Sequence, residues 1–364
     1  MADAKDRDLR DQSAGEGGKP AGFLKRKDIE ISFQRYAIDA LSAMAQGLFA
    51  SLLIGTIFNT IGNVSGVTVF NDIGGFASAM AGPAMACAIG HALKCPPLVL
   101  FSLSTVGYAA NTSGGAGGPL AVLVIAIVAA ELGKAVSKET KVDILVTPAV
   151  TVGLGCALAL LVGPLIGSVA SAIGNFIMWA TELQPFWMGI VVSVVVGVAL
   201  TLPISSAAIC AALSLTGLAG SAALAGCCAQ MVGFAVASFR DNGWGGVVSQ
   251  GIGTSMLQMG NIMRKPVIWV PAIVASAVCG PVATCIFSMS QNGPAIASGM
   301  GTCGFVGPIG LYSGWIADGI APGPMEWLGM ALVCFVLPAL VSWIVAFAMR
   351  RAKLIEDGDM KLES

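Results

Sequence analysis

Ten apolar runs punctuate the chain, at about residues 38–62, 73–93, 97–112, 118–136, 144–167, 185–204, 207–239, 244–263, 266–288 and 326–349. A transmembrane helix needs roughly 20 such residues. By that measure 97–112 is short, and the Gly- and Ser-rich runs at 207–239 and 244–263 are irregular. Lys and Arg cluster at 25–35, Lys94, Lys134, Lys138, Lys141, Arg240, Arg264-Lys265 and Arg350-Arg351. The stretches 63–72, 112–117, 168–183 and 289–325 contain neither. Short basic loops stay in the cytoplasm, so six spans alternate from an inside N-terminus. The 207–239 run must then leave and return to the same side. So must 244–263, which is too short for two spans and wrong in parity for one. A re-entrant hairpin or an interfacial helix is expected there, with both chain termini cytoplasmic.

A second break lies at Gln291–Trp315, where seven Gly and two Pro interrupt an otherwise apolar, uncharged segment. Irregular backbone survives at membrane depth only when packed in protein or lining a wet cavity, and in transporters such interruptions hold the substrate. By the same topology both ends of this segment face away from the cytoplasm. It is expected to dip in and meet 244–263 from the opposite side. A plain loop outside the membrane is the alternative.

Composition agrees with a membrane protein. Of 364 residues 56 % are hydrophobic and 11 % charged, with mean hydropathy +0.83, against about 25 % charged in soluble domains. The fold class expected is an all-α polytopic membrane protein with about 8–10 transmembrane helices and re-entrant hairpins. A net charge of −1 offers nothing to nucleic acid. With one histidine and no CxxC pair, no metal site or cofactor is expected, and the ten cysteines read as small buried thiols. Walker, dinucleotide-binding, nucleophile-elbow and zinc motifs are all missing from the sequence, so no catalytic residue is assigned and ATP does not drive this chain by itself. Residues 1–30 read as a disordered tail ending in a basic segment. Ile29, Phe33 and Tyr36 suggest a short surface helix leading into the first span.

Polar residues within or beside the apolar runs are the candidate solute contacts. Glu182, followed by Gln184, stands where the sixth span begins; it either meets solute hydroxyls or caps the helix that Pro185 starts. His91 lies three residues before Lys94 and also suits a snorkelling interfacial role. Gln250, Thr254, Gln258 and Asn261 recur at helical spacing, within a stripe about 80° wide. Amides offer both donor and acceptor to a neutral polyhydroxyl ligand, although the stripe suits an interface equally. Gln230 adds a buried amide, and Asn292 and Thr302 belong to the broken 291–315 stretch. Asp39 and Glu131 read as interfacial.

Five stretches carry a family resemblance: KCPPLVLFSLSTVGYAAN, AELGKAVSKETKVDILVTPAVT, WATELQPFWMGIVVSVVVGVALTLPISSAA, AGCCAQMVGFAVASFRDNGWGGVVSQGIGTSMLQMGNI and SGMGTCGFVGPIG. Over about residues 30–350 the chain resembles the second membrane family of phosphotransferase-system enzyme IIC proteins, which includes perfringolysin-O-regulator-like proteins. The resemblance implies a homodimeric permease component in the bacterial inner membrane. It implies a scaffold part at 31–180, a substrate-binding part with re-entrant segments at 181–350, and a cytoplasmic tail at 351–364. It further implies a sugar substrate, with Glu182 and His91 as the positions matching the family's glutamate and histidine. A phosphoryl relay would need separate enzyme IIA and IIB chains, since neither polar tail holds a histidine or cysteine. A regulator of gene expression and an ion-coupled carrier are the other function classes expected.

Overall fold

The computed structural model describes residues 20–362. Of the expected N-terminal tail, residues 1–19 lie outside the described residues, and the remainder begins with a short helix, α1 (Pro20–Arg26). Long apolar runs joined by short turns can only bury their faces by folding back on one another. The chain accordingly runs as helical hairpins, and the described residues contain no strand. The first hairpin pairs α2 (Gln34–Gly62) with two helices bent by 46° at Met80, α3 (Thr68–Ala79) and α4 (Ala81–Ala92). The second pairs α5 (Pro97–Gly114) with α6 (Gly118–Val136). Gly115, at φ +52, reverses the chain between them, and Gly133 near the end of α6 faces Val99 near the start of α5.

Next comes α7 (Asp143–Thr181), a single helix of 39 residues. Residues 168–183, which lie between the apolar runs 144–167 and 185–204 and so read from the sequence as a loop, instead continue the helix to Thr181. At 1.5 Å per residue α7 is about 58 Å long, nearly twice a hydrocarbon core of about 30 Å. Its Leu160, Leu161, Leu165, Phe176 and Trp179 stay exposed, as side chains facing lipid would.

The C-terminal half is built around α10 (Gly217–Ala237), nearly all of whose residues are buried. Packed on it are α8 (Pro185–Thr201), α13 (Pro266–Ile286) and α16 (Pro324–Arg351). The shorter elements are α9 (Ser206–Ala212), α11 (Phe239–Val248), α12 (Met259–Arg264), α14 (Ala295–Ser298) and α15 (Val306–Ala317). Six helical stretches are long and apolar enough to cross a bilayer. Counting the bent pair once and the α5–α6 hairpin as two arms gives eight candidate spans among the described residues. The expected sixth crossing at 185–204 is not one of them. Leu202, extended at ψ 160 ahead of Pro203, stops α8 inside the bundle, because the residue before proline disfavours helix. The chain returns through α9, and α10 makes the sixth crossing instead.

Without a hydrophobic drive between helices in lipid, close backbone approach through small residues holds such bundles together. A Cβ at Gly226 of α10 would fall 1.8 Å from the Ser193 carbonyl oxygen of α8, and one at Gly280 of α13 would fall 2.0 Å from the Gly189 carbonyl oxygen. Ser193 Oγ donates to the Ser276 carbonyl across the same crossing, at 2.6 Å.

All the basic clusters gather at one end. Lys134, 2 % exposed, donates to the carbonyls of Asp28 (2.6 Å) and Leu93 (3.1 Å) and pairs with Glu131 (3.1 Å), which also accepts from Tyr36. Glu131 is thus part of a largely buried network rather than simply interfacial. Arg35 bridges Asp28 and the Leu93 carbonyl, and Arg26 and Lys27 hold Glu139. These ties replace the separate surface helix expected over 28–37: residues 29–32 are non-helical, and Gln34 enters the first span directly. At the C-terminus Lys265 pairs with Asp359 (2.6 Å), and Arg350 pairs with Asp241 (3.1 Å) and Asp357 (2.6 Å).

Two predictions follow from this packing. Replacing Gly226 by Ala forces its methyl against rigid backbone, and overpacking of this kind costs about 1–3 kcal/mol; thermal unfolding of the detergent-purified protein reads the loss. The second concerns pH. Arg35 holds the Asp28 carboxyl below the usual carboxylate range, and Lys27, with Arg26, does the same for Glu139. Burial pushes Asp359 up, but Lys265, the Glu356 N–H and Arg350 outweigh it, and the net direction is down. Depressed carboxyls stabilise above their ordinary pKa, and that stabilisation is lost as pH falls through the lowered values. Amide protection at residues 27–35 and 355–362, taken relative to the intrinsic exchange rate at each pH, is therefore expected to hold at neutral pH and to fall only below about pH 4.

Candidate functional site

Three broken segments meet inside the bundle. The first is the turn after α8, where Ser205 caps α9 by accepting the Ala208 N–H at 3.2 Å. The second follows α11, which is kinked at Gly243 (φ 57). A wide helical turn at Ser249–Gly253 leads to Thr254, extended at φ −157, ψ 140, whose hydroxyl accepts the Met256 N–H at 3.2 Å and starts the tight turn Ser255–Gln258. The third is 299–305, where Gly301, Gly304 and Phe305 all take left-handed backbone at φ +55, +52 and +59. Gly301 must be glycine on a further count: a Cβ there would meet the backbone of Cys227 at 2.8 Å.

Hydroxyls stitch the three together. Thr201 at the end of α8 shares a hydrogen bond with Ser255 (2.8 Å), Ser206 donates to the Gly299 carbonyl (2.7 Å), and Thr302 donates to the Gly251 carbonyl. Gln230, fully buried on α10, accepts from Trp269 (2.8 Å) and Thr201 (3.2 Å) and donates to Ser276 (3.2 Å). Its amide ties three helices to the junction. Farther out, Gln291 and Gly217 exchange two backbone hydrogen bonds (2.9 and 3.0 Å), which anchors the third segment to the start of α10.

A small cavity of about 70 Å³ lies at the junction, lined by Ser205, Ser206, Thr254, Met256, Met300 and Cys303 among others. The Ser205 and Thr254 hydroxyls each accept a backbone N–H, which leaves their protons free to be donated inward. A second hollow of about 470 Å³ opens towards the basic end, between α2, α11 and the C-terminal residues, with Ser42, Asn242, Ser249 and Asn261 in its wall. Its volume falls within the roughly 300–1,000 Å³ of small-molecule sites. The segment 249–258 and Phe49 separate the two spaces. The residues named around both cavities carry no formal charge apart from Lys361 in the outer rim.

The sequence-predicted residues divide into three groups. Gln250, Gln258 and Asn261 do converge, but not as a helical stripe: five glycines between 243 and 253 unwind the helix on which that spacing was reckoned. They form an amide ladder instead. Gln250 donates to Ser238 (2.9 Å), Gln258 to Gln250 Oε1 (2.9 Å) and Asn261 to Gln258 Oε1 (2.9 Å). Gln230 and Thr302 are buried in the junction itself. His91, Glu182, Gln184 and Asn292 are exposed and stay apart from it. His91 is in the last turn of α4 at the basic end, whereas Glu182 and Gln184 follow α7 at the opposite end. Asn292 donates to Asp318 at 2.6 Å. Sequence reasoning missed Ser205 and Ser206, although Pro203 followed by two serines is a helix-stop and N-cap pattern.

A family model described as phosphotransferase system, EIIC, matches residues 38–362. No curated protein and no solved structure matches the chain.

The junction's stitching is open to a direct test. Thr302→Val leaves the Gly251 carbonyl without its side-chain partner, at a cost of about 1–3 kcal/mol for a buried group, whereas Thr302→Ser keeps the hydroxyl. Thermal unfolding is expected to separate the two variants, with serine close to the parent.

Proposed function

The chain belongs to the phosphotransferase system EIIC family, and from that premise we propose that it binds and translocates a neutral, hydroxyl-bearing solute of the sugar class. As a family member it is a multi-pass membrane component of phosphotransferase transport. The observation that carries the finer reading is the meeting of three broken segments around uncharged hydroxyls and amides. Hydroxyl protons at Ser205 and Thr254 suit a ligand's oxygen atoms, while a charged solute would find no counter-ion in the inner cavity. At about 70 Å³ that cavity is far smaller than the sites that hold small molecules. The solute therefore occupies it only when the broken segments separate, and rests otherwise in the 470 Å³ hollow.

Under this reading the basic end faces the cytoplasm of a bacterial inner membrane, and the hollow presents solute to separate enzyme IIA- and IIB-type phosphoryl donors. Residues 31–180 act as the scaffold of a homodimer and 181–350 as the moving, solute-binding part. Glu182 and Gln184, exposed at the opposite end, are placed to meet solute on arrival, and His91 to face a donor.

Uptake of radiolabelled hexoses and hexitols into vesicles, with and without the donor proteins, tests the proposal. Donor-dependent accumulation of a phosphorylated product is expected. Ser205→Ala and Thr254→Val should each weaken solute binding about tenfold, the worth of one buried hydrogen bond. Uptake indifferent to the donors would rule out group translocation.

A further inference from the structure

We propose that the groove between α11 and the end of α16 binds one anionic phospholipid, with an acyl chain in the groove and the phosphate held by Arg240 and Arg351. The groove lies at the basic end and has a volume of about 300 Å³, at the lower edge of the roughly 300–1,000 Å³ of small-molecule sites. Two buried small residues, Ala237 of α10 and Ala346 of α16, form its floor and leave room for a chain. Aromatic pairs make its walls. Phe239 meets Trp244 edge to face at 5.4 Å, and Trp343 stacks on Phe347 at 5.7 Å. Trp244 is 75 % exposed and Trp343 54 %. Tryptophans left this open at the end of a bundle suit the headgroup layer, where an indole meets acyl chain on one side and water on the other.

Charge decides which lipid fits. Arg350, also in the lining, is already neutralised by Asp241 (3.1 Å) and Asp357 (2.6 Å), so both of those carboxylates are occupied. Arg240, exposed in the same lining, has no ion-pair partner among the described residues. Arg351 has none either, and its guanidinium lies over the Phe347 ring at 5.1 Å, which holds it beside the groove wall. Two arginines without counter-charge flanking an apolar groove match a ligand with a negative head and an apolar tail. A zwitterionic lipid brings its own cation to the same place and gains less. A second copy of this chain, docked on this face about a two-fold axis, would set the arginines against their own kind. Lipid bound here packs α11 against α16, and α11 leads directly into the broken segment at Ser249–Gly253.

Photolabelling tests the site without any solute. The full chain in detergent is mixed with phosphatidylglycerol or phosphatidylcholine carrying the same diazirine-bearing acyl chain, and labelled peptides are mapped by mass spectrometry. Phosphatidylglycerol is expected to label 236–247 and 343–347 about fivefold or more above phosphatidylcholine. The exposed Leu160, Leu161 and Leu165 of α7 are the internal control, and the two lipids should label them alike. Arg240→Gln and Arg351→Gln should each lower groove labelling by phosphatidylglycerol about fivefold, the worth of one basic residue beside an anionic headgroup. Arg240→Lys should keep most of it. Both arginines are exposed, so these variants are expected to fold as the parent does. Excess glycerol phosphate should not compete, which separates a lipid from a free phosphate ester. Groove labelling equal for the two lipids and indifferent to both glutamine variants would reduce the groove to ordinary lipid-facing surface and overturn the site. Displacement of the label by glycerol phosphate would overturn it as well.

Discussion

The constraint on which this structure depends is that backbone polar groups away from water must find partners within the protein. Three chain segments stop short of crossing the bundle, and each would leave carbonyls and N–H groups stranded. They are tolerated because each is satisfied partly by another and partly by its own caps: Ser206 serves Gly299, Thr302 serves Gly251, and Ser205 and Thr254 serve their own following turns. No one of the three breaks is self-sufficient. A disturbance of one releases polar groups in its neighbour, which couples the three energetically.

Close approach of helices supplies the frame that holds the junction. Gly226 on Ser193 and Gly280 on Gly189 bring α8, α10 and α13 within backbone contact, and Gln230 locks the same three helices with its amide. The same reliance on small residues explains how the breaks fit at all, since Gly301 lies against Cys227 where any side chain would collide. Rigid crossing and broken segments are thus products of one composition, rich in Gly, Ala and Ser. That composition gives helices that pack tightly where the pattern is regular and unwind where glycines crowd.

Much of this was legible in the chain. Charge placement alone required 244–263 to return to its own side, and glycine density marked 291–315 as a dip towards it; the Thr302–Gly251 contact joins the two. The amides of 250–261 were found for a partly mistaken reason, because helical periodicity was assumed across a stretch that glycines unwind. The half-span at α8 escaped notice because an apolar run does not reveal whether its far end is lipid or protein. Nor does hydropathy show that a polar C-terminal segment docks; Ile355 and Met360, flanking an Asp-Gly turn, were the only cue. His91 and Glu182 were suggested by resemblance, and their separation is a property of helix order that no local motif contains.

The central claim is that 299–305 lies inside the protein, facing the 249–258 segment, rather than in water beyond the membrane. Cysteine accessibility scanning along 292–316 measures this most directly, with a water-soluble thiol reagent applied to either face of oriented vesicles. Protection at Ser298→Cys, Thr302→Cys and native Cys303, with ready labelling at Asn292→Cys, is the result the structure requires. Uniform labelling from the face opposite the basic end would contradict it and reduce the segment to an ordinary loop.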